Sequence, residues 1–139
     1  MPVATVLIKI ITKGNDDVVD ITLKVAEIVS GSKIKSGLVN VFVSGSTASV
    51  TTIEYEPGLV MDVKALGERL APSDEDYSHN DTWGDGNGHS HIKASVIGPS
   101  LTVPFTGGKM ALGIWQQIVI IDHDTRARSR DIVVQVIGE

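Results

Sequence analysis

Residues 101–137 read LTVPFTGGKMALGIWQQIVIIDHDTRARSRDIVVQVI, and this stretch decides the fold. Three β-branched, apolar segments (101–105, 111–121 and 128–137) are separated only by Gly107-Gly108 and by the run 122–125. Such segments bounded by turn residues read as strands. Links this short join antiparallel neighbours, because a parallel pair needs a crossover of a dozen or more residues. Residues 91–97, ahead of Gly98-Pro99, have the same strand-like character and extend the block.

Toward the N-terminus the periods alternate. Ala4, Val6, Ile8 and Ile10 interleave with Thr5, Leu7 and Lys9 as a first strand, ended by Lys13-Gly14-Asn15-Asp16. Ile21, Val25, Ile28 and Val29 fall at helical spacing, with Asp20 or Thr22 as cap and Gly31 past the end. Residues 38–43 and 50–55 are two more strands, linked by the hydroxyl-rich run 44–49. Leu59, Val63, Leu66 and Leu70 make an amphipathic helix stopped by Pro72. The expected fold is α+β: a single domain over 1–139, with a mostly antiparallel sheet core and two main helices.

Composition excludes several classes. The chain has 139 residues, of which 42% are apolar and 21% charged, too apolar for disorder. Seventeen acidic residues against twelve basic ones give a net charge of −5, which argues against nucleic acid or a membrane surface as partner. There is no cysteine, so disulfides, thiolate metal sites and thiol nucleophiles are out. No apolar run approaches the ~20 residues of a membrane helix, and no signal peptide is evident. The expected location is the cytoplasm.

Most candidate chemistry sits in residues 72–90, a polar segment between the second helix and the strand block. Long loops in small domains are commonly functional. If residues 89–91 begin a strand, His89 and His91 share a face, about 6–7 Å apart at Cα. With His79 they can then hold one divalent ion. Without thiolates the shell is imidazole, carboxylate and water, which suits Zn, Mn, Fe or Ni. The opposing reading is that these histidines only bond backbone groups. Arg126, Arg128 and Arg130 alternate at the start of the last strand, and their natural partner is phosphate or pyrophosphate. The plainer alternative pairs them with Asp122, Asp124 and Asp131. Ser46 and Thr47 offer hydroxyls and backbone amides for a phosphate or carboxylate, although there is no Walker motif. Glu54 and Glu56 alternate just beyond the run 44–49, and one of them is a candidate ligand or general base. A Ser–His–acid triad can also be drawn from these residue types. Trp115 is expected to be buried and structural, with Gln116 turned toward the site.

The stretches His79-Asn80-Asp81-Thr82-Trp83, Asn87-Gly88-His89-Ser90-His91 and Gly113-Ile114-Trp115-Gln116 together resemble the YjbQ family. Members of that family are described as secondary thiamine-phosphate synthases. The resemblance implies a compact α+β fold assembled as a homotrimer. It implies a histidine-lined site of His79, His89 and His91 holding a divalent ion (Zn, Mn or Mg). Asn87, Gln116, Arg128 and Arg130 are implied as site or support residues. Many relatives carry a histidine where this chain has Gly45, so partial metal occupancy is expected. The implied reaction joins a pyrimidine-methyl pyrophosphate to a thiazole phosphate. The alternatives are a metal-dependent hydrolase of a small phosphorylated metabolite, and a non-enzymatic trimeric metabolite- or metal-binding protein.

Overall fold

The computed structural model describes residues 1–139. Eight strands and four helices follow in the order β1 (Val3–Ile11), β2 (Asp17–Asp20), α1 (Thr22–Gly31), β3 (Ser36–Val43), β4 (Ala48–Ile53), α2 (Pro57–Leu70), α3 (Ser78–Trp83), α4 (Gly88–Ile97), β5 (Ser100–Thr106), β6 (Lys109–Met110), β7 (Gln117–Asp122) and β8 (Ser129–Gly138). They form a five-stranded sheet, β1-β8-β3-β5-β6, and a three-stranded sheet, β2-β7-β4. Every pairing is antiparallel, but only β5 and β6 pair across a short link; β7 and β8, expected as neighbours, lie in different sheets, because the link 123–128 carries the chain from one sheet to the other.

Strand alternation places the core. Ile8 and Ile10 of β1, Val39, Val41 and Val43 of β3, Val103 and Phe105 of β5, and Ile132, Val134 and Val136 of β8 all face inward. They meet Val25 and Val29 of α1, and Ala48, Val50, Ile118 and Ile120 from one face of the smaller sheet. Burying each such Val or Ile contributes about 1.5–3 kcal/mol. The other face of the smaller sheet carries Val18, Val119 and Ile121, against which Val60 and Val63 of α2 and Ile97 of α4 pack. Two local devices set the helix starts. Asp20 Oδ1 accepts from the Thr22 backbone N–H at 2.9 Å, and the Glu56 carboxylate accepts from Gly58 and Leu59 ahead of a proline-led first turn.

Residues 91–97 are corrected from strand to helix. Ser90, Lys93 and Ala94 are buried on one side of α4, a 3.6-residue pattern that the H-x-H alternation hides. Gly98, at φ +100°, then ends the helix. The segment 111–121 is also shorter as a strand than its apolar run suggests. Gln116 N–H bonds back to Gly113 O, which closes a turn, and only Gln117 onward pairs.

Trp115 stands on that turn with 68% of its surface exposed, so the expectation of a buried ring is corrected. Trp115→Ala should change unfolding stability by under about 1 kcal/mol, in line with exposed positions generally. A urea-unfolding loss of core size, about 3–5 kcal/mol, would contradict the exposed placement.

Candidate functional site

The link between β3 and β4, the α3–α4 junction and the link between β7 and β8 meet at one end of the smaller sheet. Between them lies a polar cleft of about 440 Å³. Gly45, Ser46 and Thr47 form one wall; His79, Trp83, Asp85, Asn87 and His91 form the second; Asp124, Arg128 and Arg130 close the floor.

The floor is a charge network. Asp122 is fully buried, and Arg130 grips it with Nε at 2.7 Å and Nη2 at 2.8 Å. The Thr12 hydroxyl donates to Asp122 at 2.6 Å. Arg130 Nη2 also donates to Thr47 Oγ1 at 2.6 Å, and that hydroxyl in turn donates to Asp124 Oδ2 at 2.9 Å. Arg128 closes on Asp124 with Nε at 2.9 Å and Nη2 at 2.7 Å. Burial alone would raise the Asp124 pKa. The Thr125 backbone N–H, the Thr47 hydroxyl, Asn87 and Arg128 outweigh it and hold the carboxyl at about 2. The plainer alternative for two arginines of the row is therefore what the structure shows: Arg128 and Arg130 are paired with Asp124 and Asp122, while Arg126 is exposed.

The histidines divide. The rings of His79 and His91 lie against each other, centroids 4.2 Å apart and tilted by 39°, and His79 Nδ1 lies 3.9 Å from Asp85 Oδ1. Burial, then the neighbouring His79, pushes the His91 pKa down, which favours a neutral ring. His89 goes elsewhere: it is buried beside Tyr77, ring centroids 6.4 Å apart. Its pKa is lowered by burial and then by the charge of Lys93. On a helix, residues two apart point in widely different directions, so the shared strand face of His89 and His91 does not exist. No three His, Asp or Glu side chains are grouped so as to hold an ion. The three-histidine shell is corrected to a two-histidine pair, in which His79 Nδ1 is buried without a hydrogen-bond partner.

Ser46, Thr47, Asn87, Arg128 and Arg130 all reach the cleft. Glu54 and Gln116 do not, within one chain. The cleft lies at the Ala48↔Asp122 end of the β4–β7 ladder, and these two residues flank its Ile53↔Gln117 end. Gln116 instead braces the turn, accepting from Gly113 N–H at 3.0 Å and donating to Thr52 Oγ1 at 3.1 Å.

A second buried network lies on the opposite side of β7. Ser49 Oγ is 2.9 Å from His123 Nε2, His123 Nδ1 is 2.6 Å from Asp16 Oδ1, and Lys93 Nζ donates to Asp16 Oδ2 at 3.1 Å. This is the order of a Ser–His–acid triad. Ser49 has no exposed surface, however, so its hydroxyl is no accessible nucleophile. The network's visible work is to tie β4, β7 and α4 together beside a small cavity of about 110 Å³ walled by Val63, Leu66, Leu70, Val96 and Ile97. Sequence reading did not assemble it. Its one sequence signal is the alternation Asp122-His123-Asp124, which sends Asp124 to the cleft, Asp122 to the buried network beneath it, and the imidazole to the other face.

A family model described as UPF0047 protein YjbQ-like matches residues 7–139. The chain belongs to the YjbQ family. A UPF0047 protein of Methanothermobacter thermautotrophicus is 36% identical over all of this chain and 95% of its own length. Among solved structures, a YbjQ-like protein of Sulfolobus solfataricus superposes with a TM-score of 0.90 at 31% identity, covering 99% of this chain and 100% of its own. A YjbQ/UPF0047-family protein of Clostridium acetobutylicum gives a TM-score of 0.86 at 32% identity, over 95% of this chain and 99% of its own. The YjbQ-type fold thus holds for the whole chain. No helix is long and apolar enough to cross a membrane.

Proposed function

We propose that the cleft binds a small phosphorylated metabolite and that the chain, as a homotrimer, carries out a thiamine-phosphate synthase-type transfer. The observation that supports this most is the cleft's composition. Two arginines, two adjoining imidazoles and the Ser46–Thr47 hydroxyls line one cavity whose single apolar lining residue is Trp83. That donor set suits phosphate oxygens.

In the reaction, a bond forms between the thiazole ring nitrogen and the methylene carbon of the pyrimidine. The bond from that carbon to the pyrophosphate oxygen breaks, and pyrophosphate leaves with the electron pair. The nitrogen becomes quaternary, so no proton need move at that atom. What the protein must supply is alignment and stabilisation of the charge that grows on the leaving group. Arg128 and the neutral His91 ring are the groups offered here for that task, with Ser46 and Thr47 orienting phosphate oxygens. Glu54 and Gln116 enter only as residues that a neighbouring subunit would have to bring. A divalent ion, at partial occupancy, would be held by His79 and His91 and would supply added positive charge beside the phosphates.

Both thiamine precursors should yield thiamine phosphate and pyrophosphate in equal amounts, and His91→Ala should lower kcat about 100-fold. Release of inorganic phosphate from phosphorylated substrates, without coupled product, would replace this reading with a hydrolase. No turnover, with ligand binding kept, would replace it with a binding module. A monomer mass by light scattering at micromolar concentration would remove the trimer.

A further inference from the structure

Gly45 has no conformational reason to be glycine, because its backbone does not adopt a left-handed φ. Its reason lies in space. A Cβ at this position would stand 2.7 Å from Arg130 Nη1 and 3.7 Å from its Cζ, and would meet nothing else within 4 Å. The far end of a free arginine would move aside. This one is held: Nε and Nη2 fork onto buried Asp122, and Nη2 also bonds Thr47, so retreat of the guanidinium would break buried, charge-assisted bonds.

Arg130 Nη1 is the edge left over. The side chain is only 8% exposed, and Nη1 makes no hydrogen bond within the protein. Gly45 and Arg130 both border the cleft, and Gly45 also borders the groove that continues past His91 along Ser95 to Pro99. A polar atom of the adjoining wall also lacks a partner: Asn87 Oδ1 is buried without one, while its Nδ2 donates to Asp124. The cleft thus holds an unused charged donor on its floor and an unused acceptor on its wall.

We propose that Gly45 and Arg130 Nη1 form an anion subsite, in which a phosphate oxygen occupies the volume that a side chain at position 45 would fill. Gly45 is the specificity-determining residue of this subsite: its missing side chain admits the oxygen and leaves Nη1 uncovered. Hydrogen pyrophosphate matches the cleft's chemistry, with acceptor oxygens for Nη1 and an O–H for Asn87 Oδ1. Asp122 and Asp124 balance the charges of Arg130 and Arg128, so the grip rests on this directed bond more than on net positive charge. The inference rests on the reading that the cleft takes a phosphorylated ligand.

The test is calorimetric titration of the full chain with inorganic pyrophosphate. Wild type should bind, and Gly45→Ala should bind about tenfold more weakly or worse, the loss of one hydrogen bond to a charged group. Gly31→Ala, at a position where a Cβ meets nothing within 4 Å, should match wild type. In wild type the guanidinium ¹⁵N–¹H resonances of Arg130 should shift on adding pyrophosphate, a readout that does not depend on any variant folding. Equal affinity of wild type and Gly45→Ala, or unmoved Arg130 signals in the presence of bound pyrophosphate, overturns the subsite and leaves the proposed function standing. Failure of wild type to bind pyrophosphate at all overturns both.

Discussion

Asp122→Ala is expected to lower the free energy of unfolding by about 3–5 kcal/mol, the range for removing one partner of a buried ion pair. Asp122 has no exposed surface and satisfies four donors: Arg130 Nε, Arg130 Nη2, the Thr12 hydroxyl and the Asp124 backbone N–H. The alanine variant would leave the Arg130 guanidinium buried without its counter-charge, and that uncompensated ion dominates the cost. Position matters too. Asp122 is the last residue of β7, opposite Asp17 on β2 and Ala48 on β4, so the pair fastens β8 to the end of the smaller sheet. A double variant, Asp122→Leu with Arg130→Met, removes both charges together and should recover much of the loss. Urea unfolding of wild type, Asp122→Leu, Arg130→Met and the double variant measures the cycle. A loss below about 1 kcal/mol in Asp122→Ala would mean that the pair contributes no more than an exposed one.

How much of this could be read in advance depended on the range of the signal. The inward residues of β1 and β8 were legible because alternation is strictly local: Ile8 and Ile10, then Ile132, Val134 and Val136, lie in the core as the pattern demands. The helices bearing Val25 and Leu59 followed from their 3.6-residue spacing. Residues 91–97 were not legible because seven residues fit both periods, and the histidine alternation masks the helical set Ser90, Lys93 and Ala94. The exposure of Trp115 was not legible because the apolar run 111–121 is continuous in sequence but not as a strand: a turn at Gly113 lifts the ring out. In the site, the residue types were readable and the grouping only in part. Arg128, Arg130, Ser46, Thr47 and Asn87 converge, but the separation of His89 from His79 and His91 follows from the helix. The chain from Ser49 through His123 to Asp16 joins residues 74 and 107 positions apart, which no local pattern reports.

Acidification should unfold the protein in two stages, the steeper one between about pH 4 and pH 2. Asp16, Asp122 and Asp124 all have folded pKa values below their ordinary ones, although burial opposes this in each case. His123 and Lys93 hold Asp16 down, Arg130 and Thr12 hold Asp122, and the donors around Asp124 bring it to about 2. A carboxylate with a depressed folded pKa stabilises fully above its unfolded value, about 3.9. Below that value the unfolded chain binds protons first, and the contribution vanishes as pH falls through the folded pKa. For Asp124, a shift from 3.8 to about 2 corresponds to about 2 kcal/mol. Three such groups joined in buried networks make the loss cooperative. The earlier stage belongs to His89 and His91, whose folded pKa values also lie below the ordinary 6.5. There too the unfolded chain takes the proton first, so stability starts to decline as pH falls below about 6.5. Asp124→Asn should flatten the steep stage while lowering stability at pH 7, because its bonds to Arg128 lose their charge. Urea midpoints taken across pH 7 to 2 measure both stages. A wild-type midpoint that stays level from pH 4 to 2.5 would show that these three carboxylates are not held ionised by the fold.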